Sequence, residues 1–423
     1  MTAVDERRLE QSEAATDSGP VAGPVVGPWC DLGPAPHRPI HTAIARALFH
    51  RAVRRMPLRV VLPDGIVLGA GDAESPVMRV ASDDFFRRVG ALGLVGFGEA
   101  YMAGDWDADD PGAVLVPFAK RLTVLVPQWM QKLRRYYVQH QPSRERNTLA
   151  GARRNISRHY DLSNDLFALF LDESMTYSSA WFEPGDTLEV AQMRKVDRLL
   201  DATHVGEGTR VLEIGTGWGA LAIRAARRGA HVTSITLSAE QAALAQERVD
   251  AAGLTGQVDI RICDYREVGG EYDAVVSVEM IEAVGEQYWP AYFSSLERVL
   301  APGGRIGIQA ILLEHDRMLA TRDQYTWIHK YIFPGGALPS LEAVDDVVAR
   351  HTGLRVVDTQ AFGRHYATTL REWRTRFDAH EAEVDALGFD QRFRRMWDFY
   401  LAYCEAGFAT GYLDVAQLVL SRP

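Results

Sequence analysis

Between residues 187 and 313, apolar runs of strand length alternate with helical stretches, and that alternation excludes most folds. RVLEI (210–214), HVTSITL (231–237), VDIRIC (258–263), YDAVVSVEM (272–280) and RIGIQAILL (305–313) read as strands. ALAIRAARRG (220–229), AEQAALAQERVDAAG (239–253) and YWPAYFSSLERVLAPGG (288–304) read as the helices between them, the last ended by a glycine stop. Strands joined through helices run parallel, and right-handed crossovers place the helices on both faces. The expected fold is α/β, a doubly wound parallel sheet whose ligands bind beyond the carboxyl ends of the strands. The tail adds helices near 340–350, 366–386 and 389–408, and a last strand, YLDVAQLVL (412–420).

The rest of the chain divides by composition. Residues 1–38, rich in Gly, Pro, Ala and Ser, read as a disordered leader. Residues 39–118 read as a small α+β domain. Within it, ALFHRAVRRM has helical spacing, LRVVLPDGIVLGAG gives two strands around Pro63-Asp64-Gly65, and Ser82 caps a helix. GLVGFGEAYMAGDWDADD (93–110) reads as a glycine- and aromatic-rich loop or bent element. Residues 119–158 form a basic linker, and 159–423 a larger domain.

Charge narrows the partners. The net charge of −10 argues against a general nucleic-acid binder. Yet between 120 and 159 ten basic residues face one acid, Glu145, with Trp129, Met130, Tyr136 and Tyr137 interleaved. Such a stretch either lies on an anionic membrane or forms a solvated linker helix. Cys30, Cys263 and Cys404 are too widely spaced for a metal motif, so no metal is expected, and they fit a reducing compartment. No run reaches the roughly 18–20 apolar residues of a membrane span, and the acidic N-terminus lacks an apolar signal-peptide core. A cytoplasmic protein, in peripheral contact with the inner membrane face, is the expectation.

RVLEI runs into Gly215-Thr216-Gly217-Trp218-Gly219, where glycines allow a sharp turn and close approach of a cofactor to the main chain. Alone, this pattern also fits a tight turn or a nicotinamide site. Glu213 at the strand end, Asp264 after the third strand and LAPGG before the fifth resemble class I methyltransferases, which use S-adenosylmethionine. The second strand ends in Thr236-Leu237-Ser238 rather than an acid, so neutral groups would have to meet the ribose there.

Several motifs occur in register: HYDLSNDLF (159–167), MTYSSAWF (175–182), LEIGTGWG (212–219), TLSAEQ (236–241), DYREV (264–268), SVEMIEAVG (277–285) and KYIFPGG (330–336). Together they resemble the cyclopropane-fatty-acid-phospholipid synthase family, and GFGEAYMAGDW (96–106) resembles the N-terminal lipid-binding domain of its full-length members. The resemblance implies a Rossmann-like class I methyltransferase domain behind a smaller α+β lipid-binding domain. It also implies a membrane-associated homodimer acting on unsaturated phospholipid acyl chains. By the same resemblance Tyr177, Ser178, Gly215, Thr216, Gly217, Gly219, Thr236, Leu237, Gln241, Asp264 and Tyr265 bind the cofactor. A bicarbonate ion serves the family as base; its ligands match Ser179, Glu282, Gln309, Tyr366 and the backbone of Ile311. Ser179 and Gln309 stand where the family usually has Cys and His, and Ala283 replaces a frequent His. Cys404 matches a suspected catalytic cysteine, although an apolar helix also suits a core thiol.

Methylating an alkene leaves a carbocation that must be kept from water. Aromatic faces can stabilise such cations; the candidates are Tyr177, Trp181, Phe182, Trp218, Tyr325, Trp327, Tyr331, Phe333 and Tyr366, most of them expected to be plain core. How a proton is then lost decides between a cyclopropane and a methylene product. YSSA, SVEMIEAVG and GIQAI resemble the actinobacterial branch that makes 10-methylene and 10-methyl (tuberculostearic) lipids, so a 10-methylene product is favoured over cyclopropane. With no second nucleotide fingerprint, reduction to a methyl branch would need a separate reductase. DRMLATRDQYTWIHKYIFPGG (316–336) is expected to cover the acyl chain. A methyltransferase of a soluble small molecule and a non-catalytic lipid-binding protein stay open as alternatives.

Overall fold

The structure, a computed structural model, describes residues 27–121, 147–148, 151 and 163–423. The basic segment 120–159 and residues 1–26 of the leader lie almost wholly outside the described residues.

The N-terminal unit is built on a four-stranded sheet ordered β2–β1–β3–β4, from β1 (Arg59–Val61), β2 (Val67–Leu68), β3 (Val77–Val80) and β4 (Trp106–Ala108). The turn at Pro63-Asp64-Gly65 joins β1 to β2 as expected, with Gly65 at φ +83°. Helices α1 (Pro39–Val53), α2 (Asp84–Leu92), α3 (Leu94–Met102) and α4 (Pro111–Ala119) pack with it. Ser82 caps α2 through its hydroxyl, which accepts from the Asp84 N–H at 3.2 Å.

Two expectations change here. Residues 94–102 form a regular helix, not a loop or bent element. Their glycines serve close packing: a Cβ on Gly98 would lie 2.6 Å from Trp327 Cδ1 and 2.8 Å from Phe399 Cε1. Residues 27–38, expected as disordered leader, carry a short 3-10 turn (Pro28–Asp31) whose Trp29 is 2% exposed. Trp29 stands edge-on to Phe393 at 4.8 Å, and Arg88 donates to the Gly33 carbonyl at 3.0 Å. One apolar residue with an aromatic docking site overrides the composition of the surrounding segment.

The larger sheet is ordered β10–β11–β9–β8–β5–β6–β7. The strands β5 (Arg210–Ile214), β6 (His231–Thr236), β7 (Val258–Ile262), β8 (Tyr272–Val278) and β9 (Leu300–Leu313) are mutually parallel. Near-continuous burial of β5 and β8 explains their unbroken apolar runs, as in any strand covered on both faces. β11 (Leu413–Ser421) runs antiparallel between β9 and β10 (Arg355–Ala361). β10 was not foreseen: as an exposed edge strand it needs no apolar alternation. The LAPGG stretch belongs to β9 rather than to the preceding helix.

The helices of this half are α5 (Asn164–Phe170), α6 (Leu188–Ala202), α7 (Ala220–Ala226), α8 (Ala239–Ala251), α9 (Ile281–Val284) and α10 (Trp289–Val299). They continue with α11 (His315–Thr321), α12 (Trp327–Tyr331), α13 (Leu341–His351), α14 (Gly363–Ala379), α15 (Glu381–Ala386) and α16 (Gln391–Ala409). The expected helix 366–386 is divided at His380 between α14 and α15. Helix α16 packs on α14 on one side and on α3 and α4 on the other, so one apolar core runs through both units. Among the described residues no helix is long and apolar enough to cross a membrane.

Candidate active site

A cleft opens beyond the carboxyl ends of β5, β6 and β8, where the sheet order reverses and crossovers leave to opposite faces. Its walls include Tyr177, Ser178, Gly215, Thr216, Gly217, Thr236, Leu237, Gln241, Asp264 and Tyr265, all expected from the sequence. Gly219 is the exception. It does not line the cleft but starts α7 at φ +86°, with a Cβ position only 3.3 Å from Ala245, so its role is conformational.

The cleft suits a cationic nucleoside. Gly215 and Gly217, at φ +96° and +51°, turn the backbone along its floor. Glu213, 3% exposed at the end of β5, accepts from the Ser234 hydroxyl, and burial pushes its carboxyl up to about 8. A buried acid so poorly compensated favours a cationic ligand group. Thr236 Oγ1 donates to Gln241 Oε1 at 3.1 Å, a neutral pair at the end of β6 where many sheets place an acid. Asp264 was expected to meet an adenine amine; its carboxylate is gripped by Arg266, Nε to Oδ1 at 2.7 Å and Nη2 to Oδ2 at 2.6 Å.

A second cluster adjoins the cleft, centred on a residue that the sequence reading passed over. Glu279 follows β8 with φ +50°, rare for a residue with a side chain. Its Oε1 accepts from the Ser179 backbone N–H at 2.9 Å and from Gln309 Nε2 at 2.8 Å; its Oε2 accepts from the Tyr366 hydroxyl at 2.7 Å. Gln417 donates to Gln309 Oε1 at 3.3 Å, which turns the Gln309 amide nitrogen toward Glu279. Burial pushes the Glu279 carboxyl up, while the Lys195 charge and the three donors pull it back. Burial, reinforced by the Glu279 charge, also keeps the Tyr366 phenol protonated as a donor.

Three expected anion ligands, Ser179, Gln309 and Tyr366, thus share one protein carboxylate. Ser179 contributes its backbone, not its hydroxyl, which donates to the Ala180 carbonyl at 3.1 Å. The other two form a separate pair: the Ile311 N–H donates to Glu282 Oε1 at 2.5 Å. Glu282 Oε2 is buried with no hydrogen-bond partner among the described residues. Burial first, then the negative charge of Glu279, pushes the Glu282 carboxyl up to about 8, so it holds its proton at neutral pH.

Lys195 was also missed. It is fully buried on α6, donates to Ser178 Oγ at 2.6 Å and is pushed down to about 8 by burial. Its signal was a lysine at the apolar spacing of Ala191 and Leu199. For Glu279 the signal was a second acid in SVEMIEAVG, one residue past the strand.

Cys404 belongs to the core, not to the reacting groups. Its thiol is half-buried on α16, and burial pushes it up to about 12, so it is no thiolate at neutral pH. The aromatic candidates divide similarly. Tyr177 and Trp218 line the cleft and Tyr366 holds Glu279. Trp181 is covered by Arg198 at 3.7 Å and Phe362 at 4.5 Å. Tyr331 and Trp327 tie the segment 316–336 to the N-terminal unit, the Tyr331 hydroxyl donating to Glu99 at 2.9 Å and Trp327 lying against Gly98, while Trp327 also meets Phe399 of α16 at 4.8 Å.

Known proteins place this architecture. Residues 147–418 match the Mycolic acid cyclopropane synthetase family. The chain is 52% identical to the tuberculostearic acid methyltransferase UfaA1 of Mycobacterium tuberculosis, over 93% of this chain and 95% of that protein. It is 36% identical to the Escherichia coli cyclopropane-fatty-acyl-phospholipid synthase, over 82% of this chain and 87% of that one. Among solved structures, the cyclopropane synthase MmaA2 from Mycobacterium tuberculosis matches with a TM-score of 0.60 and 32% identity, covering 64% of this chain and 98% of its own. With a doubly wound methyltransferase sheet and a glycine-floored cleft at its switch point, the chain belongs to the mycolic acid cyclopropane synthetase family of S-adenosylmethionine-dependent enzymes.

Proposed function

We propose that this enzyme transfers a methyl group from S-adenosylmethionine to the double bond of an oleoyl-type phospholipid acyl chain, giving a 10-methylene branched product. The observation that carries this reading is the pair of buried acids, Glu279 and Glu282, beside a cleft fit for a sulfonium nucleoside. The 52% identity to a tuberculostearic acid methyltransferase supports the methylene product over a cyclopropane.

Glu213 would face the amino-acid part of the cofactor, Gly215 and Gly217 its backbone-facing side, and Tyr265 with Asp264 its base. When bound, the sulfonium supplies an electrophilic methyl group. The chain's own residues do the rest. Tyr177, tilted against Trp373 at 5.2 Å and edge-on to Phe167 at 5.1 Å, presents an aromatic wall that excludes water and tolerates positive charge. Its hydroxyl is tied to that of Tyr400 at 2.7 Å, which fixes the ring.

The same reading includes a homodimer, contact of the 120–159 segment with an anionic inner-membrane surface, and a separate reductase for the methylene product. The deciding experiment supplies methyl-labelled S-adenosylmethionine and oleoyl phospholipid vesicles and reads the product lipid by NMR. Exocyclic methylene signals support the proposal; cyclopropane signals, or label only in a soluble acceptor, overturn it.

A further inference from the structure

Glu279 carries more structure than a core acid needs. It occupies a left-handed backbone conformation that costs free energy to hold, directly at the cleft wall. Both carboxylate oxygens are oriented, by donors from three separate parts of the chain: the Ser179 N–H, the Gln309 amide and the Tyr366 hydroxyl. All three donors are neutral. A carboxylate offers about four acceptor positions, and these donors fill three. A buried carboxylate serving only packing would be expected to take a direct cationic partner.

We propose that Glu279 is the proton acceptor of this active site: a carboxylate built into the chain, held by the same donors that the sequence resemblance assigns to a captured bicarbonate. This rests on the methyl-transfer reading above. The alkene π pair forms the new carbon–carbon bond, and the electrons of the broken sulfur–carbon bond stay on sulfur. Positive charge then sits on the neighbouring chain carbon. A 1,2-hydride shift moves it to the carbon that bears the new methyl. A methyl C–H bond next gives its electron pair to form the exocyclic C=CH2, and the proton passes to Glu279. If that proton left before the shift, the same electron pair would close a cyclopropane. Glu282, protonated and only electrostatically coupled to Glu279, keeps a second negative charge out of the pocket.

The test uses the full-length chain, oleoyl phospholipid vesicles and buffers with and without bicarbonate. Wild-type turnover should be the same in both. Glu279→Ala should lose about 100-fold or more of turnover, the scale of a lost general base, and regain part of it on addition of formate or bicarbonate. A purely structural role gives no such rescue. Glu279→Gln, nearly isosteric, should be equally slow, with unchanged circular dichroism, and guards against misfolding of the alanine variant. An activity-independent readout is 13C-labelled bicarbonate followed by NMR: no bound signal in wild type, a bound signal in Glu279→Ala. Bicarbonate dependence of the wild type, bound bicarbonate in the wild type, or near-wild-type turnover of Glu279→Gln would each overturn the proposal while leaving the methyl-transfer reading intact. A wild type that methylates no lipid in either buffer would overturn the reading beneath it as well.

Discussion

The Tyr366 hydroxyl donates to Glu279 Oε2 at 2.7 Å, joining helix α14 to the turn after strand β8 across 87 residues of sequence. This contact makes the acid cluster a tertiary construction, assembled only when the C-terminal helices dock on the sheet. Tyr366→Phe removes the donor and leaves a buried carboxylate oxygen unpaired. A hydrogen bond to a charged group is worth ~1.5–3 kcal/mol, so kcat should fall roughly 10- to 100-fold. Cofactor affinity, measured by calorimetric titration, should stay within about twofold, because the ring lies outside the cofactor cleft.

Glu213 makes stability depend on pH. Its carboxyl is raised from 4.5 to about 8 by burial, so the folded state holds a proton that the unfolded state releases in that window. The stabilising contribution is complete below pH 4.5 and is lost as pH rises toward about 8. In the absence of cofactor, Tm should therefore decline between pH 5 and 8, and Glu213→Gln should flatten that decline. The same variant should bind S-adenosylmethionine more weakly.

Gly98→Ala should destabilise the junction between the two units. The new methyl meets Trp327 and Phe399 below 3 Å, and overpacking of this kind costs about 1–3 kcal/mol. The urea midpoint should fall, with Trp327 fluorescence shifting as the 316–336 segment moves.

Trp29→Ala should be as costly as a core mutation. Burying this ring against Phe389 and Phe393 implies a loss of about 3–5 kcal/mol on truncation. Limited proteolysis should then cut more readily within 27–38, which Trp29 anchors in the wild type.

Sedimentation with anionic vesicles should weaken as salt rises, as expected for contact through the basic segment 120–159. Binding that ignores salt would assign the attachment elsewhere.

Much of the fold was legible because buried parallel strands write themselves as apolar runs, as VLEI and AVVSV do. The cofactor cleft was legible because glycines at positive φ leave a local mark, as Gly215 and Gly217 show. Ser179, Gln309 and Tyr366 were legible only through the family resemblance, and the Glu279 carboxylate they share was not, since its partners come from three distant segments and Ser179 takes part through its backbone, which no side-chain pattern reveals. Strand β10 escaped because edge exposure erases alternation. Helix α3 escaped because Gly96 and Gly98 look like breakers until their tight neighbours are seen.

Helix α16 meets both units, and its Phe399 touches Phe97, Tyr101, Trp106 and Trp327. A protein retaining only the 147–418 span would bare that aromatic flank to water. Shortening the chain and rewriting this one helix with polar side chains must therefore go hand in hand, so the amino-acid make-up of a single C-terminal helix should report whether a given homologue carries the front unit.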